Sequence, residues 1–427
     1  MKIISLNYNN YMMVKELMTR LKKRGVYKDF NSSNIMVFDN GTISFALAFT
    51  SKSEDSNYGI TLFFGEYGLY SLEDMMTLPK EEINEGDYNL FVLTYKPKRD
   101  LTLQEAHYFD HKNIKPSVRD NLTLTTYRNG YAPYITTTKE AKDIEQALFL
   151  CNKIMDDSYE EIKEQFKNPN IQSMLVDINM HKHTYNLHFG GHPKFEGLPH
   201  RRISTLEEVN MFKDLRQEDY ALDIRARNAA IPVSIKEINK AIDPLLLVFG
   251  WPFSKFKFNY LISNPEEQRD QVLFLLKDFF TENGLPSKIT FNNRLLFDEL
   301  KELFGRLNIE VALDRAMRTD GFFDDISVTL HKLYDTIYVD QDFATVTEES
   351  MRLTLDTISR VLETINTGNP NLECSEEEKN IITAFIDTIA QTTSNELNKD
   401  ILDQIDDEEE EAEIERYTKT SDPNLVS

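Results

Sequence analysis

The sequence predicts an α+β protein: two α/β modules with mixed sheets, then a C-terminal helical segment and an acidic disordered tail. Three observations predict it. Short runs with strand-like alternation are interleaved with stretches whose apolar residues recur every three or four positions. A helix–strand–helix–strand succession with short loops occupies residues 265–313, which is the logic of a βαβ unit with parallel neighbouring strands. From residue 351 onward only helix patterning is left, and after Gln404 the composition collapses to acidic and polar residues. The expected divisions are 1–168 for the first module, 169–204 for a His-rich hairpin and linker, 205–335 for the βαβ-containing module, 336–402 for the helical segment and 403–427 for the tail.

In chain order, Asn10–Lys23 reads as a helix, with Val14, Leu17, Met18 and Leu21 on one face and Gly25 as its stop. Ile35–Phe38 and Ile43–Phe49 read as strands joined through Asp39-Asn40-Gly41, a hairpin signal because Asn and Gly tolerate positive φ. Strands are expected at Tyr58–Phe64, Tyr88–Tyr95 and Leu122–Tyr127, with short helices at Ser71–Met76 and Leu103–Phe109. Arg128-Asn129-Gly130-Tyr131-Ala132-Pro133 reads as a turn, and Thr138 as the cap of a long helix to about Phe166. Met174–Asn179 and Thr184–Phe189 alternate as a hairpin pair. In the second module Phe256–Ile262 is a half-buried strand. A helix starting near Pro265 follows, with Val272, Leu275, Leu276 and Phe279 inward, then a strand at Lys288–Phe291, a helix carrying Leu296, Leu300 and Leu303, and a strand at Ile309–Leu313. Met351, Leu355, Ile358, Leu362 and Ile365 form a heptad-like stripe, and Ser375 with Glu378 forms a capping box before a last helix with Ile382, Phe385, Ile386 and Ile389 inward.

Charge and composition narrow the function. The formal charge is −23, and the chain is acidic even without the nine carboxylates of Asp403–Glu415. Such a surface repels nucleic acid and anionic lipid unless a local basic patch exists, so nucleic acid is an unlikely partner. No stretch reaches the ~18–20 apolar residues of a membrane span. Met1-Lys2-Ile3-Ile4-Ser5-Leu6-Asn7 has no apolar signal core, and Cys151 and Cys374 form no CxxC pair, so a cytoplasmic location and no thiolate zinc site are expected.

Two groups of residues, in this order, resemble a family of bacterial proteins of unknown function. The first is Gly65-Glu66-Tyr67-Gly68-Leu69 with Arg128-Asn129-Gly130-Tyr131-Ala132-Pro133; the second is Gly284-Leu285-Pro286-Ser287-Lys288-Ile289. The resemblance spans about residues 10–160 and 215–325 and leaves out the C-terminal helices. It implies a two-module layout and no reaction. The Cys-rich metal motif of some relatives is missing from this chain. Residues 284–313 also resemble part of the retroviral-type integrases of the RNase H-like fold, where such a turn leads into a strand ending in a catalytic Asp. Here Asn292-Asn293 follows the strand, and an amide cannot supply the anionic oxygens that hold two metal ions. The resemblance implies an RNase H-like fold without nuclease chemistry; an ordinary βαβ unit is the plainer reading and the one expected.

The chemical signals are few. Five of the eight histidines, His181, His183, His188, His192 and His200, lie within twenty residues. His181 and His183 would share a strand face, and His188 and His192 flank Gly190-Gly191, so His181, His183, His188 and His192 are the candidate ligands of a zinc site, with Asp177 and Glu196 as oxygen donors. Solvated imidazoles at a module junction are the plainer reading. Arg119, Arg128, Tyr131 and Tyr134 are candidates for holding an anion or a stacked base, against a plain tight turn. Asp314, Asp320, Asp324 and Asp325 follow the last βαβ strand, where α/β sites form but where caps and turns also use Asp. The leading expectation is a non-catalytic intracellular binding or scaffold protein without cofactor, meeting a protein partner or a second copy through the 351–389 helices. The alternatives are a zinc-dependent phosphoester hydrolase built on the His181–His200 group, and single-stranded nucleic-acid binding by Tyr95–Tyr134.

Overall fold

The computed structural model describes residues 6–39, 44–50, 57–77, 88–179, 184–191, 204–235, 240–251, 255–314, 322–340, 346–367 and 374–392. The chain divides into two compact units, Met1–Ala316 with Ile337–Met351, and Met317–Thr336 with Arg352–Ser427. The α+β class is as expected.

The first unit contains two large sheets. Its N-terminal half runs α1 (Tyr8–Arg24), α2 (Val26–Asp29), β1 (Ile35–Asp39), β2 (Ser44–Thr50), β3 (Gly59–Phe64), α3 (Gly65–Thr77), β4 (Leu90–Lys96), α4 (Leu103–His111), β5 (Asn121–Arg128), β6 (Tyr131–Ile135), α5 (Thr138–Phe166), β7 (Ser173–Asn179) and β8 (Thr184–Gly190). The strands form an eight-stranded sheet in the order β6-β5-β4-β3-β2-β1-β7-β8, in which β1 and β7 alone run parallel. One face packs on α1 and α5 through Tyr11, Leu17, Met18, Ile144, Leu148 and Met155, all buried. The other face buries Ile35, Val37, Ala46 and Phe63 against Leu69 and Leu72 of α3.

Four expectations change. The helix expected at Ser71 begins at Gly65, directly after β3. Thr137 rather than Thr138 caps α5: its side chain accepts from Glu140 N, and the Glu140 carboxylate accepts from Thr137 N. Tyr131–Ile135, whose first three residues were expected to end a turn, is a strand; Pro133 concealed it, and proline is tolerated there because β6 is an edge strand. The hairpin pair expected within 169–204 is present as β7 and β8, but it continues the first sheet rather than standing apart, and residues 192–203 of the expected linker lie outside the described residues. Strand β7 pairs with β1 in the register Ile35↔Ser173 to Asp39↔Asp177 and sinks Met174 and Val176 into the first core. Asn40 and Gly41 of the expected hairpin turn lie outside the described residues, although β1 and β2 pair antiparallel as that turn requires.

The second sheet is built from β9 (Ala221–Asn228), β11 (Leu245–Trp251), β12 (Lys255–Leu261), β13 (Lys288–Phe291) and β14 (Glu310–Leu313), with α6 (Leu206–Phe212), α7 (Gln268–Asn283) and α8 (Arg294–Arg306) supplying Phe212, Phe279, Phe280, Leu300 and Phe304 to its core. A short β10 (Val233–Ser234) stands outside it and pairs with β15 (Val346–Thr347). The strand order is β12-β11-β9-β13-β14, and only β11 runs against the others. Numbered within the module this is 3-2-1-4-5. The expected parallel β13–β14 pair is present, but the central strand β9 was not expected. Leu222, Ile224 and Ala226 face the core, while Asp223, Arg225 and Arg227 occupy the opposite face and give the segment the look of a polar linker.

The second unit is helical and takes most of α9 (Phe322–Asp340) and α10 (Glu348–Thr367), with a further helix at residues 376–392. Tyr334 Oη and Thr354 Oγ1 lie 2.6 Å apart, and Lys332 Nζ donates to Gln391 Oε1 at 2.8 Å. Leu355, Ile358 and Leu362 of the expected partner-binding stripe are already buried in the single chain, and Ile365 alone of that stripe is exposed, at 63%. In the last helix the inward residues are Ile381, Phe385 and Thr388, while Ile386, expected inward, is exposed. The apolar stripe of 351–389 is thus buried at Met351, Leu355, Ile358, Leu362 and Phe385 and open at Ile365 and Ile386. No described helix is long and apolar enough to cross a membrane. The acidic segment 403–427 lies outside the described residues.

Gly284 ends α7 at φ 81° and ψ 172°, a region that residues with a Cβ avoid, and an added Cβ would stand 2.9 Å from the Arg216 carbonyl oxygen. We expect Gly284→Ala to cost about 1–3 kcal/mol, read as a lower urea midpoint at unchanged slope. An unaltered midpoint would contradict this account of the turn.

Candidate functional site at the junction of the two sheets

The β5–β6 turn does more than reverse the chain. Gly130, at φ 75°, presents its carbonyl oxygen to Asp243 N at 2.8 Å, and Ala132 N donates to Ala241 O at 3.1 Å. Asn228 Nδ2, at the end of β9, donates to Asn129 Oδ1 at 3.0 Å. Tyr131 Oη donates to Asn264 Oδ1 at 3.0 Å. A Cβ on Gly130 would stand 2.8 Å from the Pro265 ring, so only glycine permits this approach. The turn is thus the plug by which the first sheet docks on the second.

A polar cluster surrounds the plug. Tyr134 Oη donates to Glu140 Oε1 at 2.6 Å, while Glu140 Oε2 accepts from Thr137 N and Oγ1 at 2.9 and 2.8 Å. Arg128 Nε is 3.7 Å from Glu140 Oε1. Lys240 Nζ sits 3.8 Å from the Tyr134 ring centre and 5.3 Å from that of Tyr131, a cation–π contact with both rings. Burial pushes the Lys240 ammonium below its ordinary range, and Glu140 pulls the other way. Burial alone would raise Glu140, but the hydrogen bonds from Tyr134 and Thr137 outweigh it and hold the carboxyl below the usual range. Burial, then the Glu140 charge, pushes the Tyr134 phenol far up, so it stays a donor.

A second contact lies at the N-terminus of α8. Arg294 stacks 3.9 Å from the Tyr70 ring centre of α3, and its Nη1 reaches Glu73 Oε2 at 2.6 Å and Asp74 Oδ1 at 3.3 Å. Tyr67 Oη donates to Glu299 Oε1 at 3.2 Å. Both glycine-centred motifs of the first module, 65–69 and 128–133, therefore meet the second module.

Of the sequence candidates, Arg128, Tyr131 and Tyr134 converge here. Arg119 does not: it is exposed before β5, nine residues from Arg128, or about 30 Å at strand rise. Two nearby cations are matched by acids, Lys96 with Glu105 at 2.8 Å and Lys22 with Asp120 at 3.1 Å. Of the zinc candidates, His188 is exposed on β8, on the face turned from the α1–α5 core; His181, His183 and His192 lie outside the described residues, as do Glu196 and His200. Among the described residues no group of three or more His, Cys, Asp or Glu side chains could hold a metal ion. Asp314 extends the β14 ladder by donating its N–H to Phe291 O at 2.9 Å, and Asp325 Oδ1 accepts from Thr392 Oγ1 at 2.7 Å; Asp320 lies outside the described residues. Burial raises the Cys151 thiol to about 12, so it is no nucleophile at neutral pH.

The two amides at the end of β13 have structural roles. Asn292 Oδ1 accepts from Ala226 N at 2.8 Å, tying β13 to β9, and Asn293 caps α8 by accepting from Leu296 N at 3.0 Å. The acid that sequence reasoning missed is Asp223 on β9, in register with Thr290 and Gly250, its Oδ2 3.9 Å from Arg225 Nη2. The Leu222-Asp223-Ile224-Arg225-Ala226 alternation could have revealed the strand. Lys240 and Arg294 were missed with no motif to reveal them; Glu140 was legible from the Thr137–Glu140 capping box.

Compared with known proteins, the chain matches no family model and no curated protein.

Glu140 supplies a pH test. Its folded carboxyl lies below the ordinary 4.5, so its contribution is complete above that value and is lost as pH falls through the lower folded value. We expect Glu140→Gln, which keeps the capping geometry, to be less stable than wild type at pH 7, with the gap closing between about pH 5 and 3. Urea titrations across that range would show it; a pH-independent gap would refute the charge argument.

Proposed function

We propose that the chain is a non-catalytic binding protein in which two sheets are welded into one scaffold. The observation that carries this reading is how its most reactive-looking side chains are used. Arg128, Tyr131, Tyr134, Glu140 and Lys240 are engaged with one another and with the sheet junction, and Asn292 and Asn293 are engaged with backbone. Neither tyrosine offers a bare ring for base stacking, and Arg119 is far from both, which disfavours the nucleic-acid reading. Two free cysteines suit a reducing, cytoplasmic setting.

The competing reading is a zinc-dependent phosphoester hydrolase using His181, His183, His188 and His192. The two part on metal content and activity. Protein prepared without a His tag is expected to carry far less than one zinc or manganese per chain by mass spectrometry. It is expected to leave bis(p-nitrophenyl) phosphate intact with either metal added. Stoichiometric metal, with hydrolysis that His188→Ala abolishes, would replace the binding reading with the hydrolase.

A further inference from the structure

The two sheets have four edges, and three are guarded. β6 carries Pro133 and is bridged by Ile242. β12 carries Lys255 and Lys257, and β14 is only four residues long and opens with Glu310. Proline, lysine, shortness and cover are the usual devices that stop an edge from recruiting another strand. β8, the remaining edge, has no proline, no lysine and, among the described residues, no cover, and it is not short. It is seven residues long, Thr184-Tyr185-Asn186-Leu187-His188-Phe189-Gly190, with no proline and no Asp, Glu, Lys or Arg. Among the described residues no hydrogen bond reaches the side of β8 turned from β7, where alternate N–H and C=O groups point.

The side chains of β8 are as unfinished as its backbone. Tyr185, Leu187 and Phe189 face the first core, opposite Ile178, Val176 and Met174 of β7, yet they are only half-buried. Thr184, Asn186 and His188 take the solvent face. About Leu187 the apolar row is nearly palindromic: aromatic, Leu, aromatic. A two-fold antiparallel pair centred there sets Leu187 against its own counterpart and Tyr185 against Phe189, with Asn186 against His188 on the other face. No charge meets a like charge. In a chain of net charge −23, an uncharged strand is the place where two copies can approach without acidic repulsion.

We infer that the outer edge of β8 pairs with β8 of a second copy, joining two eight-stranded sheets into one continuous sheet across a two-fold axis. The occupant is a second copy rather than an arbitrary extended peptide, because both the register and the absence of charge are self-complementary. The dimer contact therefore lies on this edge rather than on the 351–389 helices, most of whose stripe is buried within the chain. The inference uses only the sheet edge, so it stands or falls separately from the metal and hydrolysis measurements above.

Light scattering on the full chain, resolved by gel filtration over a concentration series, tests it. The expected mass rises toward twice 49.8 kDa with concentration. Leu187→Lys and Leu187→Glu should each be monomeric, because each sets like charges face to face at the axis, and an equimolar mixture of the two should regain the dimer. That rescue separates pairing at β8 from simple misfolding. If the variants fail to fold, hydrogen exchange of the wild type decides: protection of residues 184–190 should grow with concentration. A wild-type monomer at every concentration, a dimer indifferent to both substitutions, or a mixture that stays monomeric although both variants are folded would overturn the proposal.

Discussion

The first unit depends on one close approach, the turn at Gly130 against Pro265. A backbone without a side chain is the only object thin enough to enter there, and once it enters, main-chain groups of the two modules satisfy one another: Gly130 O with Asp243 N, and Ala132 N with Ala241 O. The charged and aromatic residues around the turn follow from this. Burying a junction that contains Glu140, Arg128 and Lys240 is tolerable only because each charge faces an opposite charge, a ring or a hydrogen-bond donor. Arg294 on Tyr70, Glu73 and Asp74 repeats the same solution at the α3–α8 contact.

This alters the meaning of the glycine-centred motifs. A tight turn next to Arg and Tyr residues resembles a ligand loop in a linear sequence, because both uses demand backbone exposure and polar neighbours. In the folded chain the two uses separate. Tyr131 and Tyr134 spend their hydroxyls on Asn264 and Glu140. Gly284 is likewise a packing device, with the Arg216 carbonyl and the Glu218 side chain filling the space where a Cβ would stand. In this chain the glycine-centred motifs thus serve to join and pack the modules.

The second sheet makes the same point from the other side. Its topology places Asp223 on the central strand beside β13. A two-metal centre needs more than one carboxylate, and the position at the end of β13 is held by Asn292, whose oxygen is bonded to Ala226 N. The Asn292 amide stitches two parallel strands together and supplies no anionic ligand.

Much of the architecture was legible in the sequence because short-range physics writes it there. Period and capping fixed α1, α5, α7 and α8, and alternation with flanking glycine marked β1 to β5 and β12 to β14. Elements whose identity is set by distant partners were not legible. β6 is a strand in spite of Pro133 because the first sheet needs an edge, and β9 is central in spite of three charged residues because one face of its sheet does not require apolar side chains. β7 and β8 look like a free hairpin until α5 returns the chain beside β1. Of the candidate site, the sequence marked Arg128, Tyr131 and Tyr134 as unusual. Only tertiary structure joined them to Lys240 and Asn264, more than a hundred residues away, because side-chain partnerships across such distances leave no periodic trace in the chain.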